Sequence, residues 1–437
     1  MKTSSDKKFI HHPEIRDIQE KRLRELLVYL KSNSPYYKKI FNQYQIDIEK
    51  IMQLEDLVLI PTTGKEDLQL HNDEFLCVPV GSVIEYTSTS GTLGAPVTIA
   101  LTEKDLQRLA YNEFKSFTCA GGVAEDIFQL MLTLDRQFMA GMAYYSGIRK
   151  LGAGIIRVGP GVPALQWETI FRLKPTVLVA VPSFILKMLQ YAADHKIDPR
   201  ASSVRKVICI GENIRQTDFS LNILGKKITE SWKIQLFSTY ASTEMQTAFT
   251  ECEAGRGGHQ QPDLVIVELL DEKDQPVRDG EAGEVTITTL GVEAMPLLRY
   301  KTGDLCIAYK ENCSCGRQTM RLSPVIGRKK QMIKYKGTTL FAPALFDLFA
   351  GMEDISDFVA EVFSNEIGTD EILLHLLPRN HSEESDHRIR SYLQAKLRVI
   401  PQIRYVTGEE IQKIQFPDTG RKPVKFIDKR TSMTDDR

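Results

Sequence analysis

Apolar residues at helical spacing stand out near the beginning of the chain. Between Glu14 and Lys31 the apolar positions are Ile15, Ile18, Leu23, Leu26, Leu27 and Leu30. This spacing places them along one face of a helix. We therefore expect an amphipathic helix that packs on the body of the protein and serves as scaffold.

Helical patterns alternate with short apolar runs from about residue 105 to residue 240. The runs cover residues 127–132, 154–158, 176–181, 204–210 and 234–237. Such alternation is typical of a mostly parallel sheet covered by helices on both faces. We therefore expect an α/β fold with parallel βα layers in the N-terminal region.

The hydrophobic pattern changes after residue 264. Alternating runs over residues 264–270 and 284–289, with a polar turn region between them, predict antiparallel strands in a barrel-like part. After Gly327 the sequence becomes basic. We place a boundary there, between an N-terminal domain at residues 1–327 and a C-terminal domain at 328–437.

The C-terminal domain shows its own pattern of elements. The sequence predicts strands over residues 358–363 and 371–377, a helix over 383–397 and a last strand over 403–406. Strands and a helix in this order indicate a small α+β domain.

Composition and charge narrow the classes of function. The chain has 437 residues, 42% of them hydrophobic, and a net charge of −1, which fits a globular protein of two or three domains. No overall charge attracts nucleic acid or an anionic membrane. The longest apolar run, 177–186, contains a proline and is too short for a membrane span. Seven scattered cysteines indicate reduced thiols, and we expect a cytoplasmic enzyme.

A stretch rich in glycine and hydroxyl side chains, Tyr86-Thr-Ser-Thr-Ser-Gly-Thr-Leu-Gly-Ala-Pro-Val-Thr98, is suited to phosphate. Glycines let backbone N–H groups approach an oxyanion, and hydroxyl groups add donors without bulk. Both flanks of the stretch are predicted strands, so it differs from a Walker loop, which leads into a helix. We expect a hairpin loop over phosphate, and a plain surface turn is the alternative.

Two further segments carry groups that suit a nucleotide. Tyr240-Ala-Ser-Thr-Glu244 follows the apolar run 234–237, which places it at the carboxyl end of a parallel strand, where such sheets bind ligands. Its ring, hydroxyl and carboxylate suit adenine, phosphate and Mg²⁺. Asp304, in Met295-Pro-Leu-Leu-Arg-Tyr-Lys-Thr-Gly-Asp304, can accept hydrogen bonds from both ribose hydroxyls. Each segment taken alone can also be an ordinary turn.

The order of these motifs along the chain resembles the AMP-forming adenylating enzymes, and within them the phenylacetate-CoA ligases. Four further segments carry this resemblance: Ile60-Pro-Thr-Thr-Gly-Lys-Glu-Asp-Leu68, Pro175-Thr-Val-Leu178, Glu284-Val-Thr-Ile-Thr-Thr-Leu290 and Glu293-Ala-Met-Pro-Leu-Leu-Arg-Tyr300. The similarity runs from about Pro35 to the C-terminus. It implies ligation of an aromatic or arylalkyl carboxylic acid to coenzyme A, with ATP and Mg²⁺, through an acyl-adenylate.

The resemblance also implies roles for individual residues. The β- and γ-phosphates would contact Ser90, Gly91, Thr92 and Gly94; adenine would lie against Gly211, Glu212 and the Tyr240-Ala241-Ser242 segment; the α-phosphate would contact Thr243; Mg²⁺ would bind Glu244; and ribose would bind Asp304 and Arg328. The family's terminal motif is similar to the segment that begins at Phe416, which makes Lys422 the catalytic lysine, with Lys425 as the alternative.

The resemblance implies that residues 1–327 bind ATP and the acid and that the C-terminal domain is mobile. A lysine on the C-terminal domain needs a hinge to reach the site. By the same resemblance the hinge lies in Ile326-Gly-Arg-Lys-Lys, with Lys330 at the position where relatives have an aspartate. After adenylation the domain would rotate about this pivot for the thioester step.

Two glycine-rich loops bring together residues suited to a metal. Cys252 and His259 lie in the first, and Cys313 and Cys315 in the second. Three thiolates and an imidazole are a known ligand set for structural Zn²⁺. Free thiols and a redox role are the alternatives.

The sequence says less about the carboxylic acid substrate than about the nucleotide. The resemblance implies an acyl pocket at Thr133-Leu-Asp-Arg-Gln-Phe-Met-Ala-Gly141, with Phe138, Met139 and Gly141 as lining residues. Asp135 and Arg136 indicate a polar or acidic substituent on the acid, and a solvated loop beside the site is the alternative.

Two alternatives for the function remain. One is an adenylating enzyme that passes the acyl group to an amine or a carrier thiol, and the other is a silent zinc-stabilised nucleotide-binding protein. Relatives suggest a homodimer.

Overall fold

The computed structural model describes residues 13–89, 97–335, 338–365, 370–397, 400–416 and 423–430. The chain divides into two compact units, Met1–Val325 and Ile326–Arg437. Among the described residues, no helix has the length and apolar character needed to cross a bilayer.

Helices and strands follow one another as the sequence patterns suggest. The helices are α1 Pro13–Asn33, α2 Pro35–Gln43, α3 Lys65–Leu70, α4 Glu103–Cys119, α5 Met139–Leu151, α6 Pro163–Leu173, α7 Pro182–Asp194, α8 Ile223–Ser231, α9 Ala342–Ala350, α10 Glu383–Leu397 and α11 Gly408–Gln415. The strands of the first unit are β1 Glu85–Ser88, β2 Thr98–Leu101, β3 Ile127–Leu130, β4 Gly154–Arg157, β5 Val177–Ala180, β6 Lys206–Ile210, β7 Gln235–Ser242, β8 Thr247–Glu251, β9 Gly258–His259, β10 Val265–Leu270, β11 Ala282–Thr289, β12 Tyr300–Tyr309 and β13 Arg321–Leu322. Those of the second unit are β14 Gly327–Arg328, β15 Met332–Tyr335, β16 Thr338–Phe341, β17 Ile355–Ser364, β18 Asp370–Pro378, β19 Gln402–Tyr405 and β20 Phe426–Asp428.

The predicted parallel sheet is confirmed. Strands β4, β3, β5, β6 and β7 lie side by side and pair in parallel, each separated from the next along the chain by a helix. The apolar side chains of β5 and β6 are buried, as expected for strands covered on both faces, whereas those of β4 at the end of the sheet are half-buried. The carboxyl ends of these strands therefore meet at one edge of the sheet.

Strand β7 is longer than the sequence suggests. We expected a strand over 234–237 with the 240–244 motif after it, but β7 continues to Ser242. The reason is that β7 changes partner: it pairs in parallel with β6 up to Thr239 and antiparallel with β8 from Thr239 onward. A second strand supplies the hydrogen bonds that the parallel neighbour no longer provides, so Tyr240 lies within the strand.

The antiparallel strands predicted after residue 264 are confirmed by the pairing of β10 with β11. They do not stand apart from the parallel strands. One path, β10-β11-β12-β13-β9-β8-β7-β6-β5-β3-β4, joins both halves into a single sheet.

Helix α1 confirms the first pattern, since Leu23, Leu26, Leu27 and Leu30 are all buried. Helix α4 is held differently, through a line of buried polar side chains. Arg108 donates to the carbonyls of Gln246, Leu264 and Leu290, and Asn112 accepts from the backbone N–H of Ala248. These bonds fasten α4 along the beginning of β8.

The second unit is a four-stranded sheet in the order β19-β18-β17-β20, with β17 and β18 antiparallel and the outer strands parallel to their neighbours. The predicted helix over 383–397 matches α10. Helices α9 and α11 and strand β20 were missed. The first is apolar except for Asp347 and the other two are short, so none has a clear period in the sequence.

Candidate functional site

Three of the predicted site segments lie at the carboxyl edge of the parallel strands. Gly211 and Glu212 follow β6, the loop that leads to α5 follows β3, and the 240–244 motif occupies the end of β7. Open α/β sheets bind ligands at this edge.

The predicted phosphate loop lies between the antiparallel strands β1 and β2, which confirms the hairpin. Ser90, Gly91, Thr92 and Gly94 themselves lie outside the described residues. The base of the hairpin is closed by Thr89, whose N–H donates to the Val97 carbonyl at 3.0 Å. The N–H of Ser88 donates to the carbonyl of Gln137 at 3.0 Å, which attaches the hairpin to the loop between β3 and α5.

Glu212 has a structural partner. Its carboxylate accepts hydrogen bonds from the backbone N–H and the hydroxyl of Ser183, both at 2.8 Å, at the beginning of α7. A carboxylate at a helix N-terminus is stabilised by the helix dipole. With the carboxylate engaged in this way, the backbone of Gly211 and Glu212 is the part that can lie against a base.

Tyr240 and Asp304, which are far apart in sequence, are in direct contact. The Tyr240 hydroxyl donates to Oδ2 of Asp304 at 2.9 Å, and Asp304 is buried in β12. Burial, together with the charge of Asp304, raises the pKa of the Tyr240 phenol well above its ordinary value. The phenol therefore stays a neutral donor that orients the carboxylate. The structure thus brings together the adenine and ribose residues expected from the sequence.

Ala241 is exposed, and Ser242, Thr243 and Glu244 are half-buried at the end of β7 and in the turn that leads to β8. The Ser242 hydroxyl accepts from the N–H of Met245 at 3.2 Å, which holds this turn. Thr243 and Glu244 are therefore presented at the same edge of the sheet as Tyr240.

Arg299 of the ribose motif is a structural residue. Its guanidinium is buried and forms an ion pair with Glu268 at 2.9 Å, and its own carbonyl accepts from the N–H of Thr63 at 3.0 Å. These contacts hold the segment that leads into β12 and Asp304.

The remaining nucleotide and lysine positions belong to the second unit. Arg328 is exposed in β14, and Lys330 lies in a short 3-10 helix, Lys329–Gln331. Lys422 is outside the described residues. The alternative Lys425 has a partner: its Nζ lies 3.4 Å from Asp357 Oδ1 and 5.0 Å from the centre of the Phe358 ring.

The predicted acyl segment leads into α5. Met139 and Gly141 are buried at the first turn, and Phe138 precedes them half-buried. A Cβ at Gly141 would lie 2.5 Å from the carbonyl oxygen of Thr133, so only glycine fits. Met139 and Ala143 share an apolar cluster with Met245 and Phe249, which connects the acyl segment to the beginning of β8.

The predicted metal ligands converge. Cys252, His259, Cys313 and Cys315 offer ligand atoms that all lie within 4.8 Å of one another. The Sγ atoms of Cys252 and Cys313 are 3.6 Å apart, and Cys315 Sγ is 3.6 Å from Nε2 of His259. Sequence reasoning missed Thr319, whose hydroxyl lies 2.9 Å from the other ring nitrogen of His259. Burial, with Arg317 and Arg321 nearby, lowers the pKa of His259 to about 4.

Glu113, which no motif indicated, is a buried acid on α4. Its Oε1 accepts from the Asn112 amide at 2.9 Å, and Oε2 has no hydrogen-bond partner among the described residues. Burial raises the pKa of this carboxyl from 4.5 to about 8.

The shift at Glu113 predicts a pH-dependent stability. Folding takes up a proton between pH 4.5 and 8, so the free energy of unfolding should fall as pH rises through this window. Glu113→Gln should remove this loss, a difference of a few kcal/mol at most between pH 5 and pH 9. Denaturant unfolding at both values measures it. The control is Glu125→Gln, since Glu125 is exposed; equal pH profiles for wild type and Glu113→Gln would contradict the assignment.

Comparison with known proteins shows which enzymes this chain resembles. Residues 82–294 match the family model described as AMP-binding enzyme. The chain is 28% identical over 336 residues to a phenylacetate-coenzyme A ligase of Thermus thermophilus, which covers 75% of this chain and 73% of the relative. It is 27% identical to the enzyme of that name from Escherichia coli, with 78% of each protein covered. The resemblance inferred from the motifs is confirmed.

The fold is shared with solved structures. A crystal structure of a 2-hydroxyisobutyryl-CoA ligase in complex with R3-HIB-AMP matches 96% of this chain and 90% of its own, with a TM-score of 0.81 and 19% identity. The same enzyme with 2-HIB-AMP and CoA matches with a TM-score of 0.69 over 97% of this chain and 91% of its own, at 20% identity. The α/β fold expected from the sequence is confirmed.

Proposed function

We propose, from the match of residues 82–294 to the AMP-binding enzyme family and the similarity to phenylacetate-CoA ligases, that this chain joins an aromatic or arylalkyl carboxylic acid to coenzyme A at the expense of ATP. The carboxylate attacks the α-phosphorus of ATP and pyrophosphate leaves, which gives an acyl-adenylate. The thiol of CoA then attacks the acyl carbon, a thioester forms, and AMP leaves.

The observation that carries this proposal is the 2.9 Å hydrogen bond between Tyr240 and Asp304. It joins two motifs separated by 64 residues at the edge of the sheet where Gly211 and Glu212 also lie. An aromatic ring beside a buried carboxylate suits the adenine and ribose of one nucleotide. Thr243 and Glu244, in the turn that follows, are then next to the α-phosphate and its Mg²⁺ ion.

The charges of the reactants set what the protein must provide. A carboxylate and a phosphate repel each other, and preorganised donors and cations lower that cost. Mg²⁺ bound by Glu244 would supply part of the positive charge. Lys422 would supply the rest by contacting the acid and the α-phosphate, and Arg328 would contact ribose once the second unit, pivoting at Lys330, has moved to the site.

Exchange of labelled pyrophosphate into ATP tests the first step. Asp304→Ala should raise the KM for ATP by about 10- to 100-fold, since charge-assisted hydrogen bonds to ribose are worth about 1.5–3 kcal/mol. Tyr240→Phe keeps the ring and should cost less. An unchanged KM in Asp304→Ala, or no carboxylate-dependent exchange in the wild type, would overturn the nucleotide site. AMP release that does not depend on CoA would favour an amine or carrier thiol as acceptor.

We also propose that Cys252, His259, Cys313 and Cys315 bind a structural Zn²⁺. Tetrahedral zinc with bonds of about 2.3 Å to sulfur and 2.0–2.1 Å to nitrogen separates its ligand atoms by about 3.5–3.8 Å. The two spacings of 3.6 Å agree with this. The contact between Thr319 and Nδ1 of His259 leaves Nε2 for the metal. A bound ion would fasten the loops after β8 and β12 and take no part in the reaction.

Two finer points complete the proposal. The seven free cysteines suit a reducing compartment, such as the cytoplasm. A homodimer is the expected assembly, and sedimentation or light scattering would test it.

A further inference from the structure

Gln246 is the buried side chain near the site whose hydrogen bonding is incomplete. It is only 2% exposed, yet neither its Nε2 nor its Oε1 has a hydrogen-bond partner in the part of the chain that the structure describes. An amide left unpaired in the interior costs about 1–3 kcal/mol. A group with two unmet polar atoms is therefore expected to have a partner that arrives with a ligand.

The backbone of Gln246 is held in an uncommon conformation. Its φ is +48°, a value that side chains other than glycine seldom adopt. Arg108 donates to its carbonyl at 2.7 Å, and its own N–H donates to the Ser242 carbonyl at 3.3 Å. These contacts fix where the side chain begins, and both polar atoms of its amide are enclosed in the interior without a partner among the described residues.

The position of Gln246 places it near the acid. It follows Thr243 and Glu244 by two to three residues, within about 10 Å along the chain. The acid must approach the α-phosphate at Thr243. Met245, the neighbour of Gln246, belongs to the same large apolar cluster as Met139 of the predicted acyl segment.

We infer that Gln246 determines specificity by binding a hydroxyl substituent on the acid. A hydroxyl both donates and accepts, so it can satisfy the Oε1 and the Nε2 of one amide. An unsubstituted aryl or alkyl acid would leave both atoms unpaired. The inference rests on the proposed function, because it assigns the acid of that reaction, and it predicts hydroxyaryl or hydroxyalkyl carboxylates as substrates.

The test uses matched acids and matched variants. Pyrophosphate exchange is measured for phenylacetate and 4-hydroxyphenylacetate, and for isobutyrate and 2-hydroxyisobutyrate. In the wild type, kcat/KM should favour the hydroxylated member of at least one pair by about 10- to 100-fold. Gln246→Leu should abolish that preference. Gln246→Glu, which keeps the size but loses the donors, should reduce it.

A control separates recognition from folding. Gln260 is another buried amide, but its Nε2 donates to the Val265 carbonyl at 2.9 Å. Gln260→Leu should lower the melting temperature and keep the acid preference, whereas Gln246→Leu should leave the melting temperature unchanged or raised. A preference that is absent in the wild type, or unchanged in Gln246→Leu, would overturn the inference while the exchange itself upholds the proposed function. Absence of exchange with every carboxylate would overturn both.

Discussion

Replacing Lys422 with alanine should abolish pyrophosphate exchange and spare the formation of thioester from supplied acyl-adenylate. The lysine is assigned to neutralise charge while the acid attacks the α-phosphate, and it has no such task when CoA displaces AMP. Loss of one preorganised donor to developing charge costs about 10²- to 10³-fold in rate. Exchange and single-turnover thioester assays on the same preparation measure the two half-reactions separately.

Lys425→Ala is the matched control. The Nζ of Lys425 is already 3.4 Å from Asp357 and near the Phe358 ring, so its loss should affect the stability of the second unit more than the rate of exchange. Equal loss of both half-reactions in Lys422→Ala would contradict the assignment. Loss of exchange in Lys425→Ala alone would transfer the role to that residue.

Removal of zinc should cause the largest loss of thermal stability. Protein purified without added metal should contain about one equivalent, and a strong chelator should lower the melting temperature by about 10 °C or more, because structural zinc contributes several kcal/mol to folding. Cys313→Ser should have the same effect by removing a ligand. Elemental analysis and thermal unfolding check both results.

Cys119 provides the control for this experiment. It is buried in the same cluster as Cys252 and Cys313, but its thiol donates to the carbonyl of Thr250 at 3.3 Å, and it is not among the four converging ligands. Cys119→Ala should therefore retain one equivalent of metal. A metal content near zero in the wild type, with no response to chelator, would leave three free thiols and a free imidazole as the correct description.

Periodicity in the sequence predicted those elements whose side chains alternate between core and solvent. It predicted helices α1 and α10, the parallel strands and the pair β10 and β11, because burial on one or both faces imposes a pattern of apolar residues. The extent of β7 could not be predicted, because it depends on β8, a partner that comes later in the chain. The convergence of the four metal ligands was expected from their chemistry.

Side-chain contacts between distant segments could not be predicted from the sequence. Nothing in the spacing of residues indicates that Tyr240 bonds to Asp304, or that Glu212 caps the helix that begins after Val181. Glu113 and Gln246, which are among the buried groups with unmet polar atoms in the described residues, look like ordinary helix and turn residues when only the sequence is read. Their missing hydrogen bonds are found only when the partners of each buried polar atom are counted in the structure.

The hydrogen bond from Ser88 to Gln137 has a consequence for how enzymes of this kind diversify. It ties the hairpin assigned to the triphosphate to the loop assigned to the organic acid, so an insertion or deletion in one would displace the other. New acid preferences should therefore arise by exchanging side chains at constant loop length, and laboratory evolution of this scaffold should begin with point substitutions.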